Sequence, residues 1–243
     1  MKLHPKRLLD LTLQILLSII SLCYWFLGLL IFAVGKLFSL KKKPKVTRYK
    51  PSTNNLYVKF IDFVHSHGAW YAYNVMKDYI QPQAKILDIG MGSGYLAKKI
   101  QVKKQANITG IDVANLSKVN IANIIFDGVR IPCPDADFDI GILAFVLHHA
   151  QDQIALIKEA KRTCKKIIIL EDNLISRYGI FLGKAHSQAF NLLYGANTEC
   201  TYHSPDEWQM IFKELNFNIK VVSHGWKPDC FVYPVKAVMF VLE

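Results

Sequence analysis

Lys85-Ile86-Leu87-Asp88-Ile89-Gly90-Met91-Gly92-Ser93-Gly94-Tyr95-Leu96-Ala97 is the stretch on which the reading of this chain turns. Lys85 to Ile89 is a short apolar run of the kind that forms a buried strand, and it leads into a loop with glycine at every second place. Glycines at 90, 92 and 94 let the backbone turn sharply and come close to a ligand with no side chain between. A helix starting near Ser93 would aim its free N–H groups at the same spot. Strand, glycine loop and helix together predict a binding loop for a nucleotide-like molecule.

The glycines alone leave the ligand open. The dinucleotide fingerprint G-x-G-x-x-G fails from Gly90, because position 95 is tyrosine. Its looser form ending in alanine fits Gly92, Gly94 and Ala97, and Asp112 follows near the distance at which an acid would meet a ribose. The larger pattern is more selective. Asp88 to Gly94 reads D-x-G-x-G-x-G; Asp112 ends the apolar run Ile108-Thr-Gly-Ile-Asp112; Phe126-Asp127-Gly128 ends another. Ile131-Pro132, Phe138-Asp139-Ile-Gly-Ile-Leu143 and Val146-Leu147-His148-His149 then follow in order.

These blocks resemble the class I S-adenosylmethionine-dependent methyltransferases, in particular the branch holding the ubiquinone and menaquinone biosynthesis methyltransferases and many small-molecule methyltransferases. The resemblance runs from about Lys85 to Phe217. It implies an α/β, Rossmann-like, mostly parallel seven-stranded sheet with a closing antiparallel hairpin, and S-adenosyl-L-methionine as cofactor. It assigns cofactor contact to Asp88, Gly90, Met91, Gly92 and Gly94 in the first loop, to Asp112 and Val113 after the second strand, to Asp127 and Gly128 after the third, and to Ala144 at the end of the fourth. Asp88 would serve the methionine amino group, Asp112 the ribose hydroxyls and Asp127 the adenine amino group. Taken singly, each aspartate reads equally well as a loop or helix-cap residue.

Acceptor-side chemistry falls to His148 and His149, at the carboxyl edge of the sheet where such folds bind ligands. A histidine there could remove the acceptor's proton, or only shape the pocket. Glu171 and Asp172, ending the fifth strand, are a second acid–base pair or a loop cap. No N-P-P-[YF] follows the fourth strand, where Ala144-Phe145-Val146-Leu147 stands instead. In the resembling superfamily that motif marks many enzymes that methylate planar nitrogens, so its absence points to a small-molecule or lipid acceptor.

Charge and hydropathy divide the chain. The net charge is +11, but residues 1–50 carry ten Lys and Arg against the single acid Asp10, while residues 51–243 carry 20 against 18. The body is nearly neutral, which argues against nucleic acid as a partner. Leu11 to Gly35 is free of charge and rich in Leu, Ile and Phe, long enough to cross a bilayer core of about 30 Å with some tilt. The heavier basic flank, Lys36 to Lys50, follows it and predicts a single-pass membrane protein whose catalytic domain is on the cytoplasmic side. The expected organisation is thus an anchor over residues 1–40, inserted through 8–38 as a transmembrane or deeply embedded helix, a basic linker over 41–56, and the catalytic domain over 57–243.

Within that domain, Tyr57 to Tyr79 reads as aromatic-rich helix interrupted near His67-Gly68. Strands are expected over 85–89, 108–112, 121–126, 138–144 and 165–171, with helices over 94–104 and 151–162. Only Val113 to Asn120 separate the second and third strands, too few for a full crossover helix. An insertion at about 172–204, with a helix over Tyr178–Tyr194, resembles a lid over the acceptor. Ser204-Pro205-Asp206-Glu207 starts a helix running to Leu215, and Asn216–Ser223 and Val235–Leu242 read as the closing strands. The cysteines (23, 133, 164, 200 and 230) form no C-x-x-C, lie at no metal-ligand spacing and read as packing residues, so no metal is expected.

The sequence therefore supports a methyltransferase for a hydrophobic or lipid-like small molecule at the membrane surface. A catalytically inactive cofactor-binding scaffold and a membrane-tethered protein methyltransferase are the alternatives. A nicotinamide oxidoreductase lacks an evident Tyr/Lys pair, and the sequence carries no signal of oligomeric state.

Overall fold

The structure, a computed structural model, describes residues 56–173, 180, 183, 184, 200–226 and 236–243. A seven-stranded sheet forms the middle layer, in the order β3-β2-β1-β4-β5-β7-β6. The strands are β1 Lys85–Ile89, β2 Asn107–Asp112, β3 Asn123–Ile125, β4 Phe138–Ala144, β5 Cys164–Asn173, β6 Ile219–Trp226 and β7 Lys236–Leu242. β1 to β5 run parallel; β7 pairs antiparallel with both β5 and β6, closing the sheet as a hairpin.

Parallel strands covered on both faces need apolar residues at every position, because alternate side chains enter opposite layers. Leu87 and Ile89 of β1 join Ile167 and Ile169 of β5 in one core; Ile86 joins Ile140, Ile142 and Ile168 in the other. β7 divides the same way, with Val238, Phe240 and Leu242 in the first core and Ala237, Met239 and Val241 in the second. Helices α1 Leu56–Met76 and α2 Tyr95–Lys104 cover the second core, through Tyr71, Met76, Ala97 and Ile100. α3 Gln153–Thr163 and α4 Pro205–Glu214 cover the first, through Leu156, Ile157, Trp208 and Phe212.

One expectation is corrected here. α1 runs unbroken through His67 and Gly68 as a 21-residue helix, where the sequence suggested an interruption. A mid-helix glycine costs about 1 kcal/mol, and the burial of Ala69, Tyr71, Ala72 and Met76 just beyond it outweighs that. The short β2–β3 crossover is as expected: residues 113–122 hold no helix. The connection is pinned instead to the glycine loop, by Lys118 N–H on the Ser93 carbonyl at 2.9 Å. β3 is correspondingly short, three residues rather than the six expected.

α4 begins where its sequence says. The Ser204 hydroxyl accepts from Glu207 N–H at 3.3 Å and the Glu207 carboxylate from Ser204 N–H at 2.7 Å, a reciprocal cap with Pro205 in the first turn. The apolar run Leu11–Gly35, the basic linker up to residue 55 and most of the 172–204 insertion lie outside the described residues. Among the described residues no helix is long and apolar enough to cross a membrane.

Candidate active site

The glycine loop leaves β1 at its carboxyl end and is hung on β2: Gly90 and Met91 donate to the Ile111 carbonyl at 2.8 and 3.1 Å. Gly90, Gly92 and Gly94 all have positive φ, +74°, +56° and +78°. They are not equivalent. A Cβ at Gly90 would lie 2.1 Å from Val146 Cγ2 and one at Gly94 2.5 Å from Val119 Cγ2, so neighbouring side chains already fill those places. At Gly92 the nearest atom would be the Gly90 carbonyl oxygen at 4.0 Å, and the space beside it is open. Met91 turns its thioether back onto Gly110 and is 6% exposed, so only its backbone is available to a ligand.

Two buried carboxyls stand behind the loop. Asp112 Oδ2 accepts from Gly92 N–H at 2.7 Å and Oδ1 from Ala114 N–H at 3.3 Å. Burial raises its affinity for a proton, opposed by those backbone donors and by Val113 N–H. Asp88 is 3% exposed, and burial, reinforced by the Asp112 charge, pushes its carboxyl up to about 7. No lysine or arginine among the described residues offsets either charge. A ligand that brings positive charge would favour the ionised form of such a pair. S-adenosylmethionine brings it, with a sulfonium and an ammonium. Each carboxylate oxygen keeps a further lone pair beyond the bonds described. The residues therefore fit the cofactor.

Beyond β2 the expected residues also converge. Val113 is exposed, and its Cγ1 would lie 3.1 Å from a Cβ on Gly128, whose φ is +83°. Asp127 is spent partly on its own turn: its Oδ1 accepts from Val129 and Arg130 N–H, both at 2.8 Å, which holds its carboxyl below the usual range. That is the local capping role an aspartate in such a loop can always take.

β4 ends at Ala144, beside the glycine loop. Phe145 follows at φ +57°, a strained backbone for a bulky residue, with its N–H on the Leu170 carbonyl at 2.7 Å. That turn sends Val146 into the gap over Gly90 and leads into a 3-10 turn, Leu147–His149. Glu171, 1% exposed at the end of β5, organises it. Its Oε1 accepts from Val146 N–H at 2.9 Å and Leu147 N–H at 2.7 Å, and its Oε2 bonds His148 Nδ1 at 2.6 Å. A carboxylate only accepts, so His148 Nδ1 donates to Glu171, and in the neutral ring the lone pair is then on Nε2.

A segment distant in sequence is laced over the histidines. Thr201 N–H donates to the His148 carbonyl at 3.0 Å, and Gln153 Nε2 bridges the Leu147 and Thr201 carbonyls at 3.0 and 2.8 Å. Tyr202 stacks on the His148 ring with centroids 5.0 Å apart, and Cys200 Sγ lies 3.2 Å from His149 Nδ1. The sequence reading missed these contributions of Gln153, Cys200 and Tyr202. Nothing local to them marks a site; only the fold brings them to the carboxyl edge.

A family model described as a methyltransferase domain matches residues 63–222. The chain belongs to that methyltransferase family. Among its relatives, an uncharacterized protein of Methanocaldococcus jannaschii is 33% identical over 60% of this chain and 71% of its own length. A ubiquinone/menaquinone biosynthesis C-methyltransferase of Cupriavidus necator is 28% identical over 58% of this chain. The match spans 65% of that enzyme, just under two thirds. A solved methyltransferase of Thermotoga maritima, described as dependent on S-adenosylmethionine, shares the fold with a TM-score of 0.57, at 18% identity over 76% of this chain and 95% of its own. The family implies S-adenosyl-L-methionine as the methyl donor of this methyltransferase, in agreement with the loop and the acid pair.

Proposed function

We propose that this methyltransferase transfers the methyl group of S-adenosylmethionine to a hydrophobic, lipid-like small molecule at a membrane surface. The observation that carries the donor half is the open space at Gly92 with Asp88 and Asp112 buried behind it. The cofactor supplies a methyl already activated on a sulfonium, so the protein's task is alignment and exclusion of water. Asp112 fixes the loop through Gly92 N–H while keeping lone pairs for the ribose, and the buried Asp88 is the group assigned to the methionine ammonium. Val146, wedged over Gly90, ties the donor loop to the turn carrying His148 and His149, which supports an acceptor-side role for these residues.

The acceptor's character rests on the chain outside the catalytic domain. The charge-free run Leu11–Gly35 and the basic stretch that follows support a membrane anchor with the domain on the cytoplasmic side, where it meets lipid-soluble molecules at high effective concentration. The relative named for ubiquinone and menaquinone biosynthesis supports an apolar acceptor. The intact glycine loop weighs against an inactive scaffold.

Calorimetric titration with S-adenosylmethionine, S-adenosylhomocysteine and NADH tests the donor. Saturable binding of the first two, lost in Asp112→Ala, is expected; binding of NADH alone would overturn it. Transfer of labelled methyl from donor into the organic phase of a membrane-lipid extract tests the acceptor, and label appearing only in protein would replace the small molecule by a side chain.

A further inference from the structure

His148, His149 and Cys200 each present a ligand atom within 4.8 Å of the other two, although Cys200 is far from the histidines in sequence. We propose that these three residues form a binding site for a borderline-soft divalent cation of the zinc class, on the acceptor side of the sheet. Two imidazoles and a thiolate are the donor set such an ion prefers, and hard oxygen-seeking cations do not.

The geometry is of the right size. Metal–sulfur and metal–nitrogen bonds of about 2.3 and 2.0 Å in a tetrahedron put neighbouring ligand atoms roughly 3.3–3.6 Å apart. Cys200 Sγ and His149 Nδ1 are 3.2 Å apart, close to that spacing, and a ring nitrogen of His148 lies within 4.8 Å of both. The surroundings supply what an imidazole ligand requires. Glu171 Oε2 holds His148 Nδ1 at 2.6 Å, which orients the ring, fixes its tautomer and makes its other nitrogen more basic. Glu171 is itself held by Val146 and Leu147 N–H, so the support is rigid. Thr201 N–H on the His148 carbonyl and Gln153 across Leu147 and Thr201 fix the cysteine-bearing segment against the histidine turn.

Three protein ligands leave one position of a tetrahedral ion for a fourth group, the pattern of reactive rather than structural zinc. An ion there also withdraws His148 Nε2 from proton transfer, so a loaded site replaces base chemistry by metal ligation. Binding of the ion itself is independent of whether methyl transfer takes place.

The test uses the full chain, purified in detergent under reducing conditions, stripped of metal and titrated with Co2+. The expected result is one Co2+ per chain, with the visible bands of a tetrahedral ion and a near-ultraviolet thiolate-to-cobalt band. That band should vanish in Cys200→Ser and persist in Cys133→Ser. Glu171→Gln should weaken affinity about 10- to 100-fold, as loss of a supporting carboxylate does elsewhere. His149→Gln should weaken it at least about tenfold, which provides a second reading if Cys200→Ser disturbs the fold. No saturable Co2+ binding in the wild type, a thiolate band that survives Cys200→Ser, or unchanged affinity in His149→Gln would overturn the proposal. So would a thiolate absorbance in metal-free protein that does not respond to Co2+, which would mark a simple cysteine–histidine pair.

Discussion

Replacing Asp88 by asparagine takes a titrating group from behind the donor loop, and the structure sets the size and sign of the effect. Burial, then the Asp112 charge, pushes Asp88 up to about 7. It is therefore about one-tenth ionised at about pH 6 and about nine-tenths ionised at about pH 8. A donor carrying positive charge favours the ionised carboxylate, so the apparent Kd for S-adenosylmethionine should fall about tenfold between those pH values, in proportion to the competent fraction. The free protein behaves the opposite way. A carboxyl whose folded pKa lies above its ordinary value contributes stability that is full below that ordinary value and lost as pH rises through about 7. Thermal midpoints without ligand should thus drift down across the interval in which donor affinity rises. The ligand's own amino group and Asp112 also titrate, so Asp88→Asn is the reference: its calorimetric profile holds every contribution except that of Asp88. A wild-type profile parallel to the variant's, or affinity that falls toward about pH 8, would refute the reasoning.

The two loop glycines should separate stability from binding. Gly92→Ala places its methyl in open space at φ +56°, so urea unfolding should show a loss of only about 1 kcal/mol, while donor titration shows affinity abolished. Gly90→Ala drives a methyl into Val146 at φ +74° and should cost about 3 kcal/mol or more by the same unfolding measurement. Trp208→Ala removes a side chain 1% exposed and stacked on Phe212 with centroids 5.7 Å apart; a loss of about 3–5 kcal/mol is expected, read as a lowered urea midpoint. Ser204→Ala dismantles the reciprocal cap on α4 and should cost about 1 kcal/mol in the same assay, with donor affinity unchanged.

Much of this molecule could be read from the chain because its signals are local. The strands of the parallel sheet are short runs rich in isoleucine and leucine, and the cap at Ser204 and the glycine loop at Gly90 are chemistry compressed into a few adjacent residues. The acid pair was legible too, since Asp88 and Asp112 each end or precede a turn at a fixed place in that pattern. What escaped depends on contacts across the fold. Gly68 looked like a helix break because its propensity is local, whereas the packing that overrides it comes from other elements. Gln153, Cys200 and Tyr202 carry no mark of their own, and a search for metal ligands by spacing cannot join Cys200 to His149. Asp127 showed the converse, for its turn-forming hydrogen bonds were among the readings that the sequence allowed.

β7 is the last strand in chain order, yet it lies inside the sheet, between β5 and β6. Until it arrives during synthesis, β5 has an open flank along Ile167 to Leu170, four buried residues paired with β4 on one edge and with β7 on the other. β6 meanwhile has no strand to join, because its only neighbour among the described residues is β7. A nascent chain of this protein thus passes through a stage in which most of the sheet exists with an apolar, adhesive border. The step that removes that hazard is the insertion of one short segment, Lys236–Leu242, so the yield of active enzyme is exposed to anything that delays it.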